Sequence, residues 1–75
     1  MNLRELLDDA FVLAAPYLSS LAFIRAQLET LSTFENTQAL LAYINQAEKD
    51  EETLQKQTDW RIFKSKIQSI LEQDK

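Results

Sequence analysis

This chain of 75 residues contains no glycine and a single proline, which restricts the folds that it can adopt. Tight hairpins and bulges depend on glycine, which adopts positive φ without steric cost. Much of the remaining chain is alanine, leucine, glutamine, glutamate and lysine, the residues that lose least side-chain freedom in a helix. The sequence therefore predicts an all-α fold.

The short length of the chain predicts a single helical domain over residues 1–75, because there is no room for a second core. A domain of this size buries only about 60% of the surface that its unfolded chain exposes, so we expect a further source of stability. Without cysteine or histidine there is neither a disulfide nor an ordinary zinc site. Oligomerisation remains, and we expect a homo-oligomer, most simply a symmetric dimer.

The first helix is predicted over about residues 3–15, with Asn2 as its N-cap and Pro16 as the residue that breaks it. Val12, Leu13 and Ala15 widen its apolar stripe until the second half is apolar nearly all round. Such a segment is expected to be buried on more than one side. The stripe itself advances by three or four residues through Leu3, Leu6, Leu7, Ala10, Phe11 and Ala14.

A second helix, capped by Ser19 or Ser20, is predicted to place four residues on one packing seam, with Phe23 to the side. These four are Leu21, Ile24, Leu28 and Leu31. A third helix is predicted to begin at Asn36 or Thr37. Its apolar positions are Leu40, Leu41, Tyr43, Ile44 and Ala47.

Residues 48–59 contain only one large apolar residue, Leu54, and are predicted to form a solvated helix or a hinge. A last helix with Thr58 or Asp59 as its cap follows, and its apolar face is formed by Trp60, Phe63, Ile67, Ile70 and Leu71. Residues 37–73 can form one helix or two, and we favour two because globular helices are short on average. The predicted architecture is a small bundle of three to four helices, possibly with a long C-terminal helix.

An uncharged run over residues 10–24 is too short to span a bilayer, which takes about 20 apolar residues, and it contains Pro16. We therefore expect no membrane span. The N-terminus lacks the basic start of a signal peptide, and Asp8 and Asp9 precede the apolar run. A cytoplasmic location is expected.

Catalytic chemistry is not indicated by the residues available. Histidine and cysteine are absent, none of the five serines stands in a nucleophile-elbow motif, and no glycine-rich loop is present to hold a phosphate. The acidic run over residues 48–52 lacks the spacing and the glycine of a calcium loop. We expect a protein that is not an enzyme and that has no cofactor and no metal site.

The charged residues leave two hypotheses about a partner. The net charge of −4 disfavours nucleic acid, but Arg61, Lys64 and Lys66 lie among the aromatics of the last helix, a mixture that can stack on bases. A nucleic-acid-associated regulator that uses this basic helix is therefore the alternative hypothesis. Because Trp60, Phe63 and Ile67 share one helical face, we favour a core or interface role for them.

The favoured hypothesis is a non-catalytic protein–protein interaction module, a small regulatory, adaptor or chaperone-like binder that presents a helical face to another protein. The apolar segment from Phe11 to Leu18 is either the centre of the bundle or part of an interface. The acidic run is either a solvated face or a patch for a basic partner. The candidate partner-binding residues are Phe11, Tyr17, Phe23, Glu51, Glu52, Trp60, Phe63 and Ile67.

Overall fold

A computed structural model describes residues 2–73, and within them the chain forms four α-helices and one short 3-10 turn. These elements are α1 (Leu3–Ala14), the 3-10 turn (Ala15–Tyr17), α2 (Leu21–Leu31), α3 (Thr37–Asp50) and α4 (Leu54–Gln73). The predicted all-α bundle is confirmed, including its long C-terminal helix. Residues 1, 74 and 75 of the predicted domain lie outside the described residues.

Two of the predicted helix starts are confirmed in atomic detail. The Asn2 Oδ1 accepts a hydrogen bond from the Glu5 N–H at 2.8 Å, and the Asn36 Oδ1 accepts one from the Ala39 N–H at 2.8 Å. Each of these bonds satisfies an amide of the first turn that has no partner within the helix. Pro16 ends α1 as predicted, since the chain tightens there into the 3-10 turn.

Residues 37–73 form two helices, as favoured, but the break lies at residues 51–53 and the predicted cap at Thr58 or Asp59 is wrong. Glu51 has an extended backbone, and its carboxylate accepts a hydrogen bond from the Thr53 N–H at 3.3 Å. The Gln57 side chain donates to the Glu51 carbonyl at 2.6 Å. Thr58 lies inside α4 and donates its hydroxyl to the Leu54 carbonyl. Local polar contacts at the break accompany a start of α4 that is five or six residues earlier than predicted.

α4 organises the core, because it packs against α1 and α3 and also contacts α2. The predicted seam of α2 is confirmed except at Leu21, which is 46% exposed because it lies in the first turn, at the edge of the packed face. The buried apolar residues are Leu6, Leu7, Ala10, Ala14, Ile24, Leu28, Leu31, Leu40, Ile44, Trp60, Phe63, Ile67 and Ile70. Across residues 2–73, no helix has the length and hydropathy needed to cross a membrane.

Candidate protein interface

Three of the predicted partner-binding residues, Trp60, Phe63 and Ile67, belong to the core of the folded chain. Their exposed fractions are 2%, 0% and 0%. The sequence places them correctly on one face of the last helix, but α4 folds back so that this face packs within the same chain. These side chains are therefore not accessible to a partner in the folded chain.

Phe23 is half-buried beside the same core. Its ring meets the Trp60 ring edge-to-face, with the ring centroids 5.7 Å apart. The Lys56 ammonium lies 4.8 Å from the centroid of the Phe23 ring, within the range of a cation–π interaction. Phe23 is thus largely engaged by α4, and it offers little apolar surface to another protein.

The acidic run is used partly within the chain, through Glu48. α3 and α4 run in opposite directions, so the Glu48 carboxylate meets Arg61 Nη2 at 3.3 Å and Lys64 Nζ at 3.2 Å. Burial alone would raise the pKa of the Glu48 carboxyl, but hydrogen bonds and charges from Lys64 and Arg61 outweigh it and leave that pKa below its ordinary value. Glu51 lies in the helix break, and Glu52 beside it is exposed.

The basic residues of α4 are engaged in the same way. Arg61 and Lys64 pair with Glu48, and the Lys66 ammonium lies 5.0 Å from the centroid of the Tyr17 ring. An ion pair lowers the net positive charge that a helix presents to a phosphate backbone. The arrangement therefore gives no specific support to the nucleic-acid alternative.

Asp59 positions the start of α2, a role that the sequence did not indicate. Its carboxylate is fully buried and accepts hydrogen bonds from the Ser19 N–H at 2.9 Å and from the Ser20 N–H at 2.6 Å. Ser20 is the N-cap residue of α2, as predicted, but its own side chain makes no capping hydrogen bond. A carboxylate from α4 supplies the negative charge that a helix N-terminus favours.

Exposed apolar side chains concentrate at the end of α1 and the start of α2. Six large hydrophobic residues are exposed among the described residues, and four of them lie between residues 12 and 21. These four are Val12 (70% exposed), Leu13 (49%), Tyr17 (64%) and Leu21 (46%). The expectation that the apolar second half of the first helix is buried on more than one side is therefore wrong for the folded monomer.

An open groove of about 850 Å³ lies between α1 and α2, and Val12 is the member of this group that lines it. Its apolar lining includes Phe11, a predicted partner-binding residue, together with Val12 and the two alanines Ala22 and Ala26. The alanines leave this side of α2 shallow, which keeps the groove open. Four charged residues also line it, namely Arg4, Asp8, Arg25 and Glu29.

The sequence contained one signal for this surface, the position of Val12. It lies two residues from both Ala10 and Ala14, which is about 200° around the helix from each of these buried residues. An apolar side chain on that side of α1 cannot reach the core that the other two enter. Val12 therefore belongs to a second apolar face of α1, on the side of the helix away from the buried stripe.

Comparisons with other proteins add no functional assignment. No protein-family model matches this chain, and searches of curated proteins and of solved structures found no significant match. Residues 2–73 contain no cluster of three or more side chains suited to holding a metal ion.

Proposed function

We propose that this chain is a non-catalytic protein–protein interaction module that binds through the surface formed by α1 and α2. The observation that carries the proposal is the groove between these helices, together with Val12, which lines it and is 70% exposed. Contiguous apolar surface of this kind, bordered by charged residues, is characteristic of protein interaction sites.

Energetics favours a partner over solvent at this position. Fully burying a side chain such as valine contributes about 1.5–3 kcal/mol, and most of that gain is still available at Val12. Phe11 is half-buried and also lines the groove, so this predicted residue can add apolar contact beside Val12. A helix laid in the groove would meet both these apolar residues and the charged residues that line it, as in helix-in-groove recognition.

The mechanism that this geometry supports is occlusion or stabilisation of a bound partner rather than chemistry. Asp59 contributes indirectly, because its hydrogen bonds to Ser19 and Ser20 fix the connection from which α2 begins. A groove that is already formed in the free chain binds without the entropic cost of ordering it.

The test compares two substitutions that are matched in chemistry and exposure. Val12→Glu and Leu54→Glu each replace an exposed aliphatic side chain, 70% and 74% exposed, with a carboxylate. Both variants should keep the unfolding free energy of the wild type within about 0.5 kcal/mol, because neither side chain is in the core. The readout is affinity capture from the native host followed by mass spectrometry.

We expect proteins that are captured by the wild type and by Leu54→Glu to be lost with Val12→Glu, because a charge at a side chain that the partner covers must be desolvated on binding. If Val12→Glu retains the same proteins as the wild type, the groove is not the binding surface. Capture of nothing above the bead background by any of the three would contradict an interaction module.

A further inference from the structure

We infer that, in the free protein, the groove between α1 and α2 is occupied by the same surface of a second copy of this chain. The inference rests on the proposed function and names the partner that the groove takes. The second copy and any other partner of this surface would compete for it.

The charge pattern of the groove favours a second copy as its occupant. Arg4 and Asp8 lie one turn apart on α1, and Arg25 and Glu29 lie one turn apart on α2. Each helix thus contributes one positive and one negative side chain, and the groove carries no net charge although the whole chain has −4. In a two-fold contact the same patch faces itself, so a charged patch avoids like-charge repulsion when it carries both signs.

These charges are also accessible for contacts across such an interface. All four side chains are exposed. Among the described residues, Arg4 and Asp8 form an ion pair with each other alone, at 3.4 Å, and both remain about half exposed. Within residues 2–73, neither Arg25 nor Glu29 takes part in an ion pair. A second copy can therefore present an acid to each arginine and an arginine to each acid.

The shape of this surface also favours a second copy. Val12 projects from α1 on the side away from the core, and Ala22 and Ala26 leave a shallow face one turn long on α2. In a two-fold arrangement, Val12 of each protomer would fill the space above the alanines of the other. One surface therefore contains both the protruding side chain and the recess, which self-association requires.

The dimensions of the surface predict a weak dimer. A 12-residue helix is about 18 Å long, and two neighbouring helices cover a face about 20 Å wide, so each protomer would bury about 360 Å². The two protomers together would bury about 720 Å², which is below the range of stable complexes that begins at about 1,200 Å². We therefore expect a weak dimer that forms only at high protein concentration.

Charge segregation gives a direct test. A basic variant carries Asp8→Lys and Glu29→Lys, and an acidic variant carries Arg4→Glu and Arg25→Glu. Because each substitution changes the net charge by two, the chains have net charges of 0 and −8, so overall attraction cannot drive their association. Sedimentation equilibrium from about 5 µM to about 1 mM is the measurement, with circular dichroism to verify folding.

We expect the wild-type mass to rise from 8.7 kDa towards twice that value with concentration. Each variant alone should self-associate at least about tenfold more weakly than the wild type, and an equimolar mixture should recover the wild-type affinity. Val12→Glu should also self-associate more weakly, whereas Leu54→Glu should dimerise like the wild type.

Three results would overturn the second copy as the occupant: a constant wild-type mass of 8.7 kDa, a mixture that stays monomeric, or a Val12→Glu variant that dimerises normally. The capture experiment separates this failure from failure of the proposed function. A monomeric wild type that still loses its captured proteins on Val12→Glu substitution would identify the occupant as another protein.

Discussion

At the residue scale, Asp59 connects the core of the molecule to its candidate interface. The residue lies in α4, yet its carboxylate accepts hydrogen bonds from Ser19 and Ser20, 40 and 39 positions earlier in the chain. A buried carboxylate is tolerated only when its oxygens are hydrogen-bonded, and the N-terminus of α2 provides both the donors and a favourable dipole.

Replacing the Asp59 carboxylate should therefore lower the unfolding free energy by more than replacement of an exposed polar side chain does. Hydrogen bonds to charged groups contribute about 1.5–3 kcal/mol each, and Asp59→Ala leaves both buried amides without an acceptor. Asp59→Asn keeps one acceptor oxygen and should lose less. The measurement is the unfolding free energy from urea melts, with the exposed Gln55→Ala on the same helix as control. Equal midpoints for Asp59→Ala and Gln55→Ala would show that the capping contact contributes nothing.

At the scale of elements, the hairpin of α3 and α4 is joined across its surface by Glu48. The carboxylate bridges Arg61 and Lys64, and Lys64 also donates to the Asn45 side chain at 2.9 Å. The helix break at residues 51–53 makes this possible, because it reverses the chain and brings the basic side chains of α4 back beside Glu48.

The lowered pKa of Glu48 sets the sign of a pH dependence. Its contribution to stability is fully present above the ordinary pKa of 4.5 and is lost as the pH falls through the lower pKa of the folded state. Glu48→Gln should therefore cost less than about 1 kcal/mol at neutral pH, as partly exposed ion pairs do. The difference from the wild type should disappear in acid. Denaturant melts at several pH values measure it, and Glu52→Gln is the exposed control.

At the scale of the whole molecule, the return of α4 onto α1 completes a core within one chain. A 75-residue domain is expected to have a total unfolding free energy of only about 4–11 kcal/mol. Phe63 and Ile67 are therefore covered within one chain and need no second copy. A second copy would instead associate through the groove between α1 and α2.

The core position of Phe63 is tested by truncation. Phe63→Ala should destabilise by about 3–5 kcal/mol, because it removes apolar contacts and leaves a cavity, and that is a large part of the total stability. Val12→Ala should remain within about 0.5 kcal/mol of the wild type. Thermal melts followed by circular dichroism measure both. A wild-type melting temperature for Phe63→Ala would contradict the described packing.

Features that depend on near neighbours in the chain could be predicted from the residue types alone. The helical class follows from residue propensities and the absence of glycine, and the caps at Asn2 and Asn36 act over three residues. Pro16 breaks α1 because its ring and its missing N–H act locally. Helical spacing also grouped most of the core residues correctly, since that spacing fixes which side chains share a face.

Which of those faces is covered and which is open depends on how the helices pack against one another. Periodicity cannot distinguish an apolar face buried within the chain from one that a partner covers, so it predicts Trp60 as a candidate partner residue and Val12 as part of a buried segment, whereas Trp60 is buried and Val12 is exposed. The role of Asp59 and the groove between α1 and α2 likewise depend on how helices distant in sequence pack together. These features arise from contacts between elements, and no local pattern of residues specifies such contacts.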